Sequence, residues 1–321
     1  MAMPTPTPAK QRRLTLVWLT TLVILGAPAI QWAYAGQVAV VLSAKVPAYK
    51  EAVEGFCAAG RHQVTDTHDM SGNIDRGVQY VRAIDGDERS DLILAVGPFA
   101  LQAVMRVRPT KSVVFTMVLN APSIVGKEPG NITGASMNVS SDRIFQTLRQ
   151  LAPNVRRIAT IYNPDATGFL VEEAQRLAEE LELTLVARKG KNAKQAIAAI
   201  RKLHAEPIDA LWIVPDKVVL APSVVKAMLR LALSKRVPVI GLSKRHAEMG
   251  SLMCISFASS EDIGAQAGEL AQRVLDDGVP PADLPFTTVR DTQLILNLKI
   301  ARKLHIDVPD ILLDRAKLII K

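Results

Sequence analysis

Six short stretches hold most of the side chains that could do chemistry, and each follows an apolar run. Three lie in the first half of the chain: Ser43–Tyr49, Gly97-Pro98-Phe99 and Asn120-Ala121-Pro122. Three lie in the second: Asn163 through Thr167-Gly168, Pro215-Asp216-Lys217, and Ser243-Lys244. The chemistry they suggest is recognition of a small molecule. Backbone N–H groups left free at a helix start favour an anion such as a carboxylate. Gly97 permits close backbone approach, Asp216 can hold an ammonium group, and Lys217 or Lys244 can hold an acid. Tyr49 or Phe99 can stack on a ring. Each residue also has an ordinary reading. Pro and Gly after strands are common turn chemistry, and Asp216 and Lys217 can be solvated or paired with each other. On the recognition reading, Asp216→Ala or Lys217→Ala weakens binding and leaves the fold intact.

Catalytic signatures are missing from the sequence. It has no Gly-x-Ser-x-Gly elbow, no Gly-x-x-x-x-Gly-Lys-Ser/Thr loop, no Gly-x-Gly-x-x-Gly and no His-Glu-x-x-His. The histidines, His62, His68, His204, His246 and His305, lie near no cysteine and read as surface or cap residues. No Cys/His spacing matches a metal site. The expectation is a protein that is not an enzyme and carries no cofactor or metal.

The candidate stretches are positioned by alternating strand and helix signals. QVAVVLS at 37–43, DLILAV at 91–96 and SVVFTMVL at 112–119 are apolar runs of the kind found in strands covered on both faces. Helical stretches begin at Pro47, Ile74 and Leu101, and 62–68 reads as a weak strand. This β-α-β order specifies a parallel sheet with helices on both faces. The programme then repeats with RIATIY at 157–162, an amphipathic helix over 168–182, strands at 184–188, DALWIV at 209–214 and PVIGL at 238–242, with helices at 192–204 and 223–234 between them. The halves run at a nearly constant offset: Val38 against Ile158, Asp91 against Asp209, Val113 against Val239. A third section follows. It has a strand at 251–257, a helix opened by a Ser259-x-x-Asp262 capping box with Gly278 beyond its end, a short strand at 286–289 and a helix over 294–304. In parallel sheets ligands bind beyond the carboxyl ends of the strands, so two such lobes face to face bring all six stretches to one cleft.

The first 35 residues differ from the rest. Lys10, Arg12 and Arg13 precede an apolar run from Leu14 to Ile30, and Ala33-Tyr34-Ala35 follows it. That order reads as a secretory signal peptide cleaved after Ala35. The alternative is an uncleaved anchor, for which the run is short and carries Gly26 and Pro28. Cleavage places the protein in the periplasm. The formal net charge of +8 includes the three leader cations, and the remaining Lys and Arg are scattered among acids. No nucleic-acid partner is expected. Cys57 and Cys254 lie far apart, each in an apolar element, and read as two buried free thiols, although export would permit a disulfide.

With those residues in place, the chain resembles the ABC-transporter substrate-binding proteins of the TrpX type from about Gly36 to Ile320. The resemblance is carried by DLILAVGPFALQAV (91–104), VVFTMVLNAP (113–122), PGNITGASMNVS (129–140), LAPNVRRIATIYNP (151–164), the 209–217 stretch, and LNLKIARKLHIDVPDILLDRA near the end. It implies an α/β fold of two doubly wound parallel-sheet lobes joined by a multi-strand hinge. Residues 36–137 and 257–281 would form the first lobe, and 138–256 and 282–321 the second. It also implies a small solute, an amino acid or similar, captured between the lobes by hinge closure, and a monomer that docks on an inner-membrane ABC permease. The other readings are a periplasmic sensor that presents its closed form to a membrane receptor kinase, an enzyme on this fold, and a repressor. The last would need a helix-turn-helix where the export signal stands. The sequence departs from the family at the expected site. Gly97-Pro98 replaces Thr-Pro or Ser-Pro, and Asn120-Ala121-Pro122 replaces Thr-Asp-Pro. Asp165-Ala166-Thr167-Gly168 replaces a polar loop, Pro215-Asp216-Lys217-Val218 replaces Pro-Thr-Asp-Asn, and Ser256-Phe257-Ala258 replaces a more polar stretch. The expected binding set is therefore Ser43, Tyr49, Gly97, Pro98, Phe99, Asn120, Asn163, Thr167, Gly168, Asp216, Lys217, Ser243 and Phe257.

Overall fold

Alternation of side chains along the first strands divides the core of the first lobe in two. Ala39, Val41, Ile93, Ala95, Val113 and Phe115 face one apolar cluster, while Val38, Val40, Leu92, Leu94 and Val114 face another. A strand buried on both faces needs a helix layer on each, and the chain supplies both. The computed structural model describes residues 1–3, 36–126 and 128–321. The expected leader and its cleavage point lie outside them.

The first lobe runs β1 (Gln37–Leu42), α1 (Pro47–Ala58), β2 (Gln63–Asp69), α2 (Ile74–Asp85), β3 (Leu92–Val96), α3 (Pro98–Val107), β4 (Ser112–Val118), α4 (Pro122–Val125) and β5 (Ile132–Ser136). Its sheet has the order β2-β1-β3-β4-β5, parallel throughout. The chain then crosses and builds α5 (Ser141–Leu151), β6 (Arg157–Tyr162), α6 (Pro164–Glu180), β7 (Thr184–Lys189), α7 (Ala193–Lys202), β8 (Ala210–Trp212), α8 (Pro222–Lys235), β9 (Val239–Gly241), α9 (Lys244–Met249) and β10 (Met253–Phe257). It returns for α10 (Ser260–Leu275), and then adds β11 (Thr292–Asn297), α11 (Leu298–Leu304), α12 (Asp310–Arg315) and β12 (Ala316–Ile320). The second sheet has the order β12-β11-β10-β9-β8-β6-β7, parallel except for the β10–β11 pair.

The return of α10 completes the first lobe. Ser259 caps it, accepting from Asp262 N–H at 3.0 Å, as the capping box predicts. Its buried Ile263, Ala267, Leu270 and Ala271 join the core cluster of β1 and β3. Close approach of α10 to α1 depends on glycine. A Cβ on Gly264 would stand 1.9 Å from the Ala52 carbonyl oxygen, one on Gly55 2.1 Å from that of Glu261, and one on Gly268 2.5 Å from that of Phe56.

Four expectations are corrected. The last crossing falls after Val289 rather than at 281, because the segment before it lies along β5: Thr287 N–H donates to Gly134 O, Ser136 N–H to Thr287 O, and Val289 N–H to Asn138 O. Residues 294–304 are not one helix. The apolar LILN belongs to β11, inserted between β10 and β12, and helix begins only at Leu298, with Asn297 capping it through Ile300 N–H. Both cysteines are free, but Cys57 is exposed. The buried stripe of α1 is Ala52, Gly55 and Phe56, and one residue further the helix has turned Cys57 outward. Cys254 is buried as expected, and burial pushes its thiol up to about 12. His62 is also buried, against a surface expectation, and its Nε2 donates to Gly268 O at 2.8 Å. Among the described residues, no helix is long and apolar enough to cross a membrane.

Gly264→Ala should lower the thermal midpoint in spite of the ~1 kcal/mol that alanine gains over glycine in a helix, because overpacking costs about 1–3 kcal/mol or more. A raised midpoint would contradict the close α1–α10 contact.

Candidate functional site

Asp216 organises the second lobe's side of the cleft. It is 1% exposed. Its Oδ2 accepts from Asn163 N–H at 2.8 Å and from the Thr167 hydroxyl at 2.6 Å, and its Oδ1 accepts from Val218 N–H at 2.8 Å. One carboxylate thereby ties the loop after β6 to the loop after β8. Asn163 caps α6, accepting from Asp165 N–H. Thr167 leaves helical geometry (φ −125°, ψ 15°) in the first turn of α6, where its hydroxyl reaches Asp216. Asp216 therefore fixes the loops, a role additional to the ammonium ligand expected from the sequence. Lys217 is exposed beside it and does not pair with it.

On the first lobe, Ser43 stands at the end of β1 and its Oγ accepts from Ala100 N–H at 2.8 Å, so the loop after β1 caps α3. Gly97 (φ 86°) precedes α3, and a Cβ there would lie 2.5 Å from the Tyr49 hydroxyl and 2.8 Å from Ser43 Oγ. Both the backbone conformation and the space require glycine. Tyr49 therefore rests against Gly97, and burial raises its phenol above the ordinary value. Asn120 is buried with φ 57°, a left-handed conformation that asparagine tolerates. Its backbone N–H is held by Asn138 Oδ1 at 3.0 Å. Its Nδ2 crosses to the second lobe and donates to Ala166 O (3.3 Å) and Pro215 O (3.2 Å). Its Oδ1 is buried without a partner.

These loops enclose a cleft of about 1080 Å³ between the lobes. Of the expected set, Tyr49, Pro98, Phe99, Asn120, Asn163, Asp216, Lys217 and Phe257 line it. Ser43, Gly97, Thr167 and Gly168 stand outside that lining; the first three fix the loops that form it. Ser243 lies elsewhere, lining a second cavity of about 430 Å³ on the second lobe, which Phe257 also lines. Sequence reasoning missed Met117, Leu119 and Met137, which give the cleft its apolar floor. A bulge in the β4–β5 ladder places Met117 at φ 58°, and bulges re-aim side chains beside sites. No sequence signal marks it. Arg106, also at the cleft, pairs with Asp75 at 3.0 Å. Among the described residues no cluster of three His, Cys, Asp or Glu could hold a metal.

The model of the family described as ABC transporter substrate binding protein matches residues 37–320. A tyrosine-binding protein of Clostridioides difficile (strain R20291) is 26% identical over 218 residues, 65% of this chain and 61% of that protein, so the chain spans about three fifths of that relative's length. A ligand-free, open substrate-binding protein with adhesive properties from Clostridium difficile has a similar fold (TM-score 0.65, 22% identity, 89% of this chain and all of that one). So does a Streptococcus pneumonia domain solved in complex with L-Trp (TM-score 0.59, 20% identity, 89% of this chain and all of that one).

Asp216→Ala should destabilise the protein, reversing the sequence expectation, because three donors lose their acceptor at about 1–3 kcal/mol each. A denaturation midpoint equal to wild type would show that the carboxylate is dispensable. His246 provides a pH test. Its Nδ1 accepts from Leu242 N–H, and burial, helped by Arg245, lowers its pKa below 6.5. The unfolded chain then binds the proton more readily, so this contribution to stability is full above pH ~6.5 and is lost as pH falls below it. His246→Gln should flatten the stability profile between pH 5 and 7, and an unchanged slope would contradict the assignment.

Proposed function

The chain belongs to the ABC transporter substrate-binding protein family, and on that premise we propose that it captures a small organic solute, an amino acid or similar, in the cleft between its lobes. We place it in the periplasm, where it would work as a monomer that delivers its solute to an inner-membrane ABC permease. The observation that supports the binding reading best is the cleft itself, a recess of about 1080 Å³ built from both lobes and bridged by Asn120. It is of the size and apolar character that suits small molecules. Tyr49, Phe99 and Phe257 line it and suit a ring, in keeping with the tyrosine in the clostridial relative's name and the L-Trp held by the streptococcal domain.

The mechanism is a shift between open and closed forms. A solute touching both lobes favours closure by its differential affinity for the two states and by nothing else. Asn120 offers the first lobe two hydrogen bonds to the second, so closure has a contact of its own before solute contributes. No chemical step is assigned to these residues; the solute is held and released unchanged.

A thermal screen of residues 36–321 against amino acids, small carboxylates, nucleobases and sugars tests the reading. A solute at 100 times its Kd should add about 2.7 kcal/mol, a few degrees in midpoint at this size. Amino acids or carboxylates with apolar bodies should give the shift and sugars should not. A shift from sugars alone, or none from any class, would reject the assignment.

A further inference from the structure

The second cavity continues the first. Leu119, Met137, Pro215, Leu220 and Phe257 line both, so the cleft adjoins, past Phe257, a recess of about 430 Å³ whose wall is mostly apolar (Ile144, Leu170, Trp212, Leu242, Ile255 and Ile295), with Lys244, His246 and Gln293 also on its lining. The recess lies where strands of the second lobe end, beside Trp212 of β8, Leu242 after β9 and Phe257 of β10. Trp212 is 1% exposed there, packed edge-on against Phe145, and its indole N–H has no hydrogen-bond partner.

The charge left for a solute at the cleft is one-sided. Lys217 and Arg106 line it as cations, and Arg106 is already paired with Asp75, which leaves Lys217. Asp216 is the only carboxylate among the described lining residues, and its oxygens are engaged by Asn163, Thr167 and Val218. An acid group has Lys217 to meet, whereas an ammonium group meets only a carboxylate whose oxygens are already engaged. Resting on the reading that the interlobe cleft is the solute site, we infer that the recess beyond Phe257 is a tail pocket and that the solute is an elongated apolar carboxylate. Its acid end lies on the Lys217 side of the cleft and its tail ends beside Trp212.

The test is calorimetric titration of the full chain with straight-chain carboxylates from butyrate to dodecanoate and with their 2-amino counterparts. Affinity should rise about fourfold for each added methylene, the equivalent of ~0.8 kcal/mol per buried CH₂, and each acid should bind more tightly than its 2-amino form. Ser256→Leu fills the recess from β10. It is a mild change, because Gln293 Nε2, which donates to Ser256 Oγ, also donates to Phe257 O. Butyrate should bind this variant as it binds wild type, while the longest acids lose at least tenfold. Leu242→Phe is a second plug for the same recess. In a Trp18→Phe, Trp32→Phe background Trp212 is the sole tryptophan, and its emission should shift with long acids and not with butyrate.

Short acids that bind while long ones gain nothing, or plugged variants that bind every length as wild type does, would overturn the tail pocket and leave the cleft reading standing. Tighter binding of the 2-amino forms would overturn the carboxylate assignment. Failure of every acid and amino acid to bind would overturn this inference and the cleft reading together.

Discussion

A parallel strand leaves its loop at the same sheet edge as its neighbours, and helices on both faces close off every other approach. That constraint places Ser43, Gly97 and Asn120 on one lip of the cleft and Asn163 and Asp216 on the other. Facing the two lips requires the lobes to be held together, and the chain does this by crossing after β5, after β10 and before β11. The α1–α10 contact anchors one of these crossings. Without the glycines at 55, 264 and 268, the later helix could not approach closely enough to complete the first lobe.

The strongest polar interactions at the site serve the loops and leave little for a solute. Asp216 satisfies two backbone N–H groups and a hydroxyl, and Ser43 satisfies the N-terminus of α3. Buried polar groups left unpaired are costly, so loops that turn beside an apolar recess need such internal acceptors. What remains for recognition is apolar surface, Lys217, and Asn120 with one amide oxygen unpaired. The arrangement separates rigidity from recognition: short-range hydrogen bonds fix the loops, and the cleft between them selects by shape and apolar contact.

The sequence is most legible where one physical signal dominates. DLILAV could only be a doubly covered strand, and β3 is buried at all five positions. The capping box at Ser259 marked the start of α10. Legibility fails where local pattern and long-range pairing disagree. LILN at 294–297 reads as helix because the residues after it are helical, but its apolar side chains fill a slot in a sheet whose partner strands lie about 40 positions earlier and more than 20 positions later. AKLII at 316–320 becomes a strand for the same reason. Nothing in the sequence near Met117 signals its bulge. Asp216 was found as a site residue, but its role could not be read, because its three donors come from a loop about 50 positions away and from its own turn. Cys57 shows the limit of composition: an apolar helix still has an outer face.

The central claim is that both lobes hold one solute. A crystal structure of the protein saturated with the solute that gives the largest thermal shift addresses it directly. The account predicts density in the interlobe cleft, in contact with Asn120 or Tyr49 on one side and with Asn163 or the 215–217 loop on the other. Density confined to an outer surface of a single lobe, with the cleft unoccupied at saturation, would contradict it.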